Sequence, residues 1–214
     1  MILNKNPALS NKIIEELETE YKLEKPLPHL TELVYCLTRS YYDRTKPLPP
    51  TEREILLFAL GFGLERLLLK QQRKSVSGKV EGIHYSPDFL AFTDVPGELK
   101  TTRSSSNKFG EEFFPETWRR QILGYMHCLE VTEYELVVLF ICGNYKPPFP
   151  EIASYRISAE PSEVEVNWRW LQMRKEIYLA CISDKLVPTP GMFCESWECK
   201  ECRYNICCEA EEMR

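Results

Sequence analysis

The sequence predicts one α/β domain in which helices flank a mixed central β-sheet. In the first third of the chain, apolar residues recur at spacings of three and four, which is typical of amphipathic helices. Short extended segments separated by proline-containing turns follow between residues 80 and 102. The apolar run from Leu136 to Cys142 indicates a buried strand. At 214 residues with 43% hydrophobic content, the chain can bury one sizeable core, so we expect a single domain over residues 1–214.

We divide this domain into a helical part, a central core and a cysteine-rich tail, at residues 1–75, 76–185 and 186–214. Ser10 to Leu23 has an amphipathic pattern. A second helix, which carries Cys36, is indicated by apolar residues at helical spacing, Leu30, Val34, Leu37 and Tyr41. Thr51 and Glu54 form a capping-box pattern, so we expect a long helix to begin there and to extend to about Gln71.

The central core is expected to hold the sheet. Consecutive strands are predicted at Val80 to Tyr85, Asp88 to Phe92 and Gly97 to Thr102. Pro115 suits the start of a helix, along which apolar and polar residues share a face at spacings of three and four, Trp118, Gln121, Ile122 and Tyr125. Glu151 to Ile157 suits an edge strand, and Ser162 to Ile182 suits a closing helix.

The composition argues against export and against non-specific coating of nucleic acid. The N-terminus carries no export signal and no apolar run can span a membrane, so we expect a cytoplasmic protein without a membrane partner. In that reducing compartment the nine cysteines suit buried thiols or metal ligands better than disulfides. With a net charge of −5, DNA can be held only by a local basic groove. Its candidates are Lys70, Arg73, Lys74, Lys100, Arg103, Lys108, Arg119 and Arg120.

Residues on two neighbouring predicted strands form a candidate catalytic group. Pro87-Asp88 precedes Glu98-Leu99-Lys100 by ten residues. Because side chains two positions apart on a strand share a face, Glu98 and Lys100 are expected to point together while Leu99 packs behind them. Asp88 can meet them from the adjacent strand. Two converging carboxylates suit magnesium or manganese, which lower the pKa of an attacking water, and Lys100 can stabilise the developing charge.

Gln121 and Tyr125 lie four positions apart on the following helix and are expected to project over the same sheet edge. Together with the Pro-Asp and Glu-x-Lys residues, this Gln-x-x-x-Tyr pattern resembles the RecB-type branch of the PD-(D/E)XK nucleases. The resemblance implies a restriction-endonuclease-like fold and DNA cleavage, with Gln121 and Tyr125 holding the DNA and positioning the lysine. The catalytic residues that this resemblance implies are Asp88, Glu98, Lys100, Gln121 and Tyr125.

The same branch usually carries a histidine in a Gly-x-x-x-His stretch on an upstream helix, as a further metal ligand. This chain has Gly61 and Glu65 at those positions. Carboxylate oxygens also suit magnesium, so Glu65 is the predicted further ligand, and the alternative is a solvent-facing Glu65. His84 is a second candidate. The predicted metal-binding residues are Glu65, Asp88, Glu98 and Leu99.

The tail carries Cys199, Cys202 and Cys208, and these three soft ligands need a fourth, which Cys36 can supply. This arrangement resembles the CRISPR-associated RecB-like nucleases, and it implies a four-iron four-sulfur cluster that joins the N- and C-terminal parts. Zinc accepts the same four thiolates and is the alternative occupant. Cys207 can replace Cys208, and Cys194 is a spare ligand.

The resemblance implies a metal-dependent DNA nuclease, an exonuclease acting on single-stranded DNA or DNA ends. It implies work in CRISPR adaptation beside an integrase, in viral DNA processing or in repair. The alternative is an iron–sulfur subunit with weak catalysis that holds DNA in a larger complex, but the intact Asp88, Glu98 and Lys100 argue against lost catalysis. A zinc-ribbon interaction protein would leave that pattern unexplained.

Overall fold

The computed structural model describes residues 7–21, 26–91, 94–109, 114–145, 147, 149–191, 194–200 and 202–212. Phe92, the predicted end of a strand, lies outside these residues, and so does the side chain of Lys108 from the predicted basic groove. The chain begins with helices α1 (Pro7–Tyr21), α2 (Leu30–Val34), α3 (Leu37–Thr45) and α4 (Glu52–Leu68). It continues with β1 (Gly78–Val80), β2 (Ile83–Tyr85), β3 (Phe89–Leu90), β4 (Pro96–Thr102), α5 (Glu116–Leu129), β5 (Glu133–Phe140), β6 (Glu151–Ser158), α6 (Pro161–Asp184), α7 (Ser196–Cys199) and α8 (Asn205–Glu212).

Strands β3 to β6 form the mixed sheet that the sequence predicted. Their order across the sheet is β3-β4-β5-β6. The central pair, β4 and β5, is parallel, whereas β3 with β4 and β5 with β6 are antiparallel pairs. A parallel pair needs a crossover connection, and α5 supplies it. β6 lies at the end of this order, so the prediction of an edge strand there is confirmed.

One predicted strand, Val80 to Tyr85, is wrong. The chain turns back at Glu81 and Gly82, whose φ angles are 44° and 88°. Val80 therefore pairs with Ile83 across an antiparallel hairpin. Glycine adopts this left-handed backbone without a steric cost, which explains why the strand breaks at this point. The resulting β1 and β2 form a two-stranded sheet apart from the main one.

The predicted second helix is interrupted, and Cys36 is not inside it. The structure has α2 and α3 with Tyr35 and Cys36 between them. The N–H of Cys36 donates to Glu198 Oε2 at 2.9 Å. The buried Arg174 donates to the carbonyl oxygens of Leu33 and, at 2.6 Å, of Tyr35. These bonds from the distant C-terminal half take the place of helical bonds, so the chain changes direction at Tyr35 and Cys36.

The capping box at the start of α4 is confirmed. Glu54 N–H donates to Thr51 Oγ1 at 3.2 Å, and Thr51 N–H donates to Glu54 Oε2 at 2.9 Å. The helix ends at Leu68, before the predicted Gln71. In the described part of the chain, no helix is long and apolar enough to cross a membrane.

The tail packs against the helical N-terminal part. The Tyr204 ring is fully buried and stacks on Tyr42, with ring centroids 5.2 Å apart. Its hydroxyl donates to Asp43 Oδ1 at 2.8 Å. Arg203 pairs with Asp43 and, at 3.2 Å, with Glu54. The two ends of the chain are therefore held together by packing and by ion pairs of described residues.

Candidate active site

Asp88, Glu98 and Lys100 meet at one place on the sheet, as their spacing predicted. Glu98 and Lys100 share a face of β4, and Lys100 Nζ lies 2.7 Å from Glu98 Oε1. Asp88 directly precedes β3, whose Phe89 pairs with Gly97 of β4. This pairing lets Asp88 Oδ2 accept the Leu99 N–H at 2.8 Å. The two strands thus bring the acidic groups and the lysine together.

Helix α5 places Gln121 and Tyr125 over the same group. Gln121 Oε1 accepts from Lys100 Nζ at 2.9 Å, and Gln121 Nε2 donates to Glu98 Oε1 at 2.6 Å. The Gln121 amide also donates to the Tyr125 hydroxyl at 3.1 Å, and that hydroxyl donates to the Ser86 carbonyl oxygen at 3.3 Å. Both side chains are buried, so their hydrogen bonds fix the position of Lys100.

Helix α4 supplies the opposite wall of the site. A cavity of about 350 Å³ is lined by Tyr35, Gly61, Glu65, Asp88, Glu98, Leu99, Lys100, Thr101 and Trp118. His84 does not line it. Ile83 and Tyr85 are buried, whereas His84, between them on β2, is directed to the other face. The structure thus brings Glu65, and not His84, to the predicted site. Leu99 lines the cavity too, but its one possible ligand atom is the main-chain carbonyl oxygen.

The acidic groups lie in a poorly solvated setting. Burial, and next the charge of Glu98, raise the pKa of Asp88 to about 8. Burial and the Glu98 charge also raise the pKa of Glu65 above its usual value. For Lys100, burial opposes the charged form, but the Glu98 carboxylate outweighs it and holds the pKa above its ordinary value. Burial and the neighbouring Glu98 charge thus disfavour the ionised forms of both Asp88 and Glu65.

One carboxylate oxygen of the site is a candidate ligand atom for a divalent cation. Among described residues no donor reaches Glu98 Oε2, although this oxygen is buried. A buried carboxylate oxygen without a partner is costly, and a cation would satisfy it. Within the described part of the chain, no three acidic, histidine or cysteine side chains are already arranged to hold a metal ion. Binding one would therefore require the carboxylates to shift toward it.

The predicted basic groove is mostly occupied by ion pairs. Arg119 lies 2.8 Å from Glu163, and Arg120 lies 2.7 Å from Glu116. Arg73 pairs with Asp94. The Lys74 charge partly offsets the rise in the pKa of Glu65 that burial and the Glu98 charge cause. Lys74 and the cavity-lining Lys100 are therefore the groove candidates whose charge acts on the cavity.

The four predicted cysteine ligands surround a second cavity. This cavity measures about 240 Å³, and its lining includes Cys36, Cys199, Cys202 and Cys208. Burial, then the charge of Cys202, raises the pKa of Cys208 to about 12. Cys207 does not line the cavity, although it packs against the hydrophobic core as Cys202 and Cys208 do. Cys194 Sγ lies 3.6 Å from Cys199 Sγ, so it is a fifth cysteine beside this site.

Comparison with known proteins gives a fold and no family. No protein-family model matches the chain, and no curated protein matches it. The crystal structure of SSO0001 aligns with a TM-score of 0.58 at 20% identity, over 95% of this chain and 97% of that one. This chain shares the fold of SSO0001.

Two solved exonucleases align with lower scores. A phage-related exonuclease from Haemophilus somnus has a TM-score of 0.48 at 10% identity, over 70% of this chain and 82% of its own. An alkaline exonuclease from Laribacter hongkongensis has a TM-score of 0.47 at 12% identity, over 80% and 95%. At these scores neither alignment supports a statement about this chain. The residues that this fold brings together are therefore the evidence for function.

Three residues that line the candidate catalytic cavity, Tyr35, Thr101 and Trp118, were given no functional role by the sequence motifs. Helical spacing placed Trp118 on the same face as Gln121, one turn before it, but did not indicate a role for it. Thr101 follows Lys100 on β4. Tyr35 reaches the cavity because the chain bends between α2 and α3, which no local pattern indicates.

Proposed function

We propose that this protein is a metal-dependent DNA nuclease of the PD-(D/E)XK type, with the restriction-endonuclease-like fold of the RecB branch. One observation carries the proposal. Asp88, Glu98 and Lys100 line one cavity, and Gln121 bonds both Glu98 and Lys100. The Pro-Asp, Glu-x-Lys and Gln-x-x-x-Tyr residues lie far apart in sequence, so their assembly is more specific than any one motif.

The residues that would hold magnesium or manganese are Asp88, Glu98, Glu65 and the carbonyl oxygen of Leu99. Oxygen donors of this kind suit both ions. When bound, the ion supplies Lewis acidity, which offsets phosphate charge and lowers the pKa of water. The buried Glu98 Oε2 supports this assignment, because no described donor reaches it and a bound cation would satisfy it. Burial, and then the Glu98 charge, raise the pKa of Asp88, and a cation would favour its charged form.

The protein's own groups position the reacting phosphate. Lys100 carries its charge into the cavity, where it can stabilise the negative charge that develops on a phosphoryl oxygen. Glu98 and Gln121 hold its ammonium group at 2.7 Å and 2.9 Å, so little reorganisation is needed. Burial, then the Glu98 charge, keeps the pKa of Tyr125 well above its usual value. The phenol thus stays protonated and keeps donating to Ser86.

We further propose a four-iron four-sulfur cluster on Cys36, Cys199, Cys202 and Cys208, with zinc as the alternative occupant. Their shared cavity supports a common ligand. Burial, and after it the charges of neighbouring cysteines, raise the pKa of Cys208, and a cationic centre would favour its thiolate form. Such a centre would join the N- and C-terminal parts of the chain, which already contact each other through Tyr204.

The test is cleavage of end-labelled single- and double-stranded DNA by anaerobically purified protein, with and without manganese. The wild type should cut DNA only with the metal, and single strands or DNA ends should be preferred. Asp88→Ala, Glu98→Ala and Lys100→Ala should each lose nearly all cleavage and stay folded by circular dichroism. Full cleavage by Asp88→Ala, once contamination is excluded, would remove the proposed active site.

The biological setting that the resemblance implies is also a proposal. The substrate is DNA with single-stranded character or free ends, and the partner is a CRISPR integrase or another DNA-processing protein. Co-purification of the wild type with such an integrase, and its loss on tail truncation before Cys194, would support a partner role for the cysteine-rich part.

A further inference from the structure

Trp118 lines the candidate catalytic cavity, but the roles proposed for the carboxylates and Lys100 give it no function. It lies one helical turn before Gln121 and two before Tyr125, on the face of α5 that covers β4. Its half-buried indole lines the cavity together with Asp88 and Glu98. An aromatic surface therefore stands next to the carboxylates that are proposed to handle a phosphate.

The indole is supported from one side by a group of aromatic rings. The Trp118 ring centroid is 5.8 Å from that of Phe109. Phe109 in turn contacts Phe114, Phe140 and Tyr155, with centroid distances of 5.7, 5.6 and 5.1 Å. This packing restrains the indole and leaves its other side for the cavity. Within the described residues, no group accepts a hydrogen bond from the indole N–H. A structural hydrogen bond therefore does not explain why this position holds a tryptophan.

The chemistry of the cavity suggests what the indole meets. In a nucleotide a single sugar links the base to the phosphate. If the phosphate lies at Asp88, Glu98 and Lys100, the base therefore lies close to the same cavity. Aromatic side chains stack on unpaired bases of every sequence, because each base has a π-face. In a duplex the base faces are covered by neighbouring bases, so a base must leave the stack before it can meet the indole.

We propose that Trp118 is a base-stacking residue, which holds the nucleobase next to the cleaved phosphate. This inference rests on the proposed nuclease function and adds a base-binding subsite to it. Gly61 is consistent with such a subsite. It lines the same cavity, and a Cβ built on it would meet nothing within 4 Å, so this wall leaves room for a ligand. Trp118 thus makes an unpaired nucleotide the better fit.

The test measures binding without cleavage. Calcium replaces manganese, and the probe is a short thymidine oligonucleotide, intact or with one abasic position. Tryptophan fluorescence should be quenched by the intact oligonucleotide, and Trp118→Phe should remove this quenching. Trp197→Phe is the control, because Trp197 is 57% exposed on α7 and does not line the cavity.

Affinity provides the second readout. Trp118→Ala should weaken binding of the intact oligonucleotide by about tenfold, and Trp118→Phe should recover most of that loss. An abasic position placed at the site should weaken binding to the wild type and have little further effect on Trp118→Ala. If Trp118 had only a structural role, Trp118→Ala would weaken binding of the intact and the abasic oligonucleotide equally.

The outcomes separate this inference from the proposed function. If Trp118→Ala binds the intact oligonucleotide like the wild type, or if its loss is the same for the abasic probe, the stacking role is wrong. Cleavage that needs Asp88 and Glu98 would still stand in that case. Conversely, base-dependent quenching without metal-dependent cleavage would support the subsite and overturn the nuclease.

Discussion

Asp88 is the residue whose ionisation controls the candidate site. Its carboxyl group is buried next to Glu98, and these two causes raise its pKa to about 8. The group accepts the Leu99 N–H, which favours the charged form but does not offset the burial. This pKa favours a proton on Asp88 at neutral pH, and a cation bound there, as proposed, would displace that proton.

Metal affinity is accordingly expected to depend on pH. Since Asp88 is protonated below its pKa, the manganese affinity should fall by up to about tenfold for each pH unit below about 8 and level off above it. Calorimetric titration of manganese at several pH values between 6 and 9 measures this. The same affinity at pH 6 and pH 8 would contradict the assigned role of Asp88.

Glu65 and His84 are the two candidates for the further metal ligand. Glu65 lines the catalytic cavity, whereas His84 does not. Glu65→Ala should therefore raise the manganese concentration needed for half-maximal activity by about tenfold, because a carboxylate ligand is lost. His84→Ala is the matched control and should leave that concentration unchanged. Helical content should be the same in both variants. If the required manganese concentration changes only for His84→Ala, the assignment of Glu65 as the ligand is wrong.

Among the elements, the bend between α2 and α3 matters most for the site. Tyr35 lines the catalytic cavity and Cys36 lines the cysteine cavity, so one peptide bond connects the two. Arg174 of α6, which is 2% exposed, holds the bend by donating to the Leu33 and Tyr35 carbonyl oxygens. Burial lowers the pKa of Arg174 to about 10, so the guanidinium stays charged at neutral pH.

Removal of Arg174 should therefore destabilise the fold. Arg174→Met leaves two buried carbonyl oxygens without their donor, and it should lower the free energy of unfolding by about 3 kcal/mol. Arg169→Met on the same helix is the control, because the Arg169 side chain is 75% exposed and, among the described residues, pairs only with Glu165. It should cost less than about 1 kcal/mol. Urea unfolding of both variants measures this, and equal costs would contradict the role given to Arg174.

At the scale of the whole molecule, the N-terminal helical part and the C-terminal tail meet around the cysteine cavity. Glu198 accepts from the Cys36 N–H across 162 positions of sequence. Arg203 and Tyr204 contact Asp43 across similar separations. Closing so long a loop restricts the unfolded chain, so a centre shared by Cys36 and the tail would stabilise the fold considerably.

Serine substitution tests the proposed cluster. Cys36→Ser, Cys199→Ser, Cys202→Ser and Cys208→Ser should each bleach the brown colour and lower the melting temperature by about 5 °C or more. Cys207→Ser is the close control, because Cys207 does not line the cavity, and it should keep the colour. Cys194→Ser should also keep it if this fifth cysteine is not a ligand.

Elemental analysis decides the occupant. Iron and sulfide in equal amounts in anaerobically prepared protein would support the cluster. Stoichiometric zinc without iron would contradict the cluster and leave the four-thiolate site intact. An unchanged spectrum of Cys36→Ser would contradict the connection between the two ends of the chain.

Local periodicity explains what could be predicted from the sequence. The strand period of two places Glu98 and Lys100 on one face, and the helix period places Gln121 and Tyr125 on another. The capping box follows from four residues of local sequence, Thr51 to Glu54. Such features depend on neighbours along the chain, so residue order alone determines them.

The tertiary structure decided the rest. Tyr35 and Cys36 have a helical pattern, yet Arg174 and Glu198 bond the backbone around them and bend it. Likewise Cys207 and Cys208 are adjacent in sequence, but only Cys208 faces the shared cavity. The helical and non-helical conformations of these residues differ in intrinsic free energy by less than one or two tertiary hydrogen bonds contribute. Partners far away in the sequence therefore select the conformation.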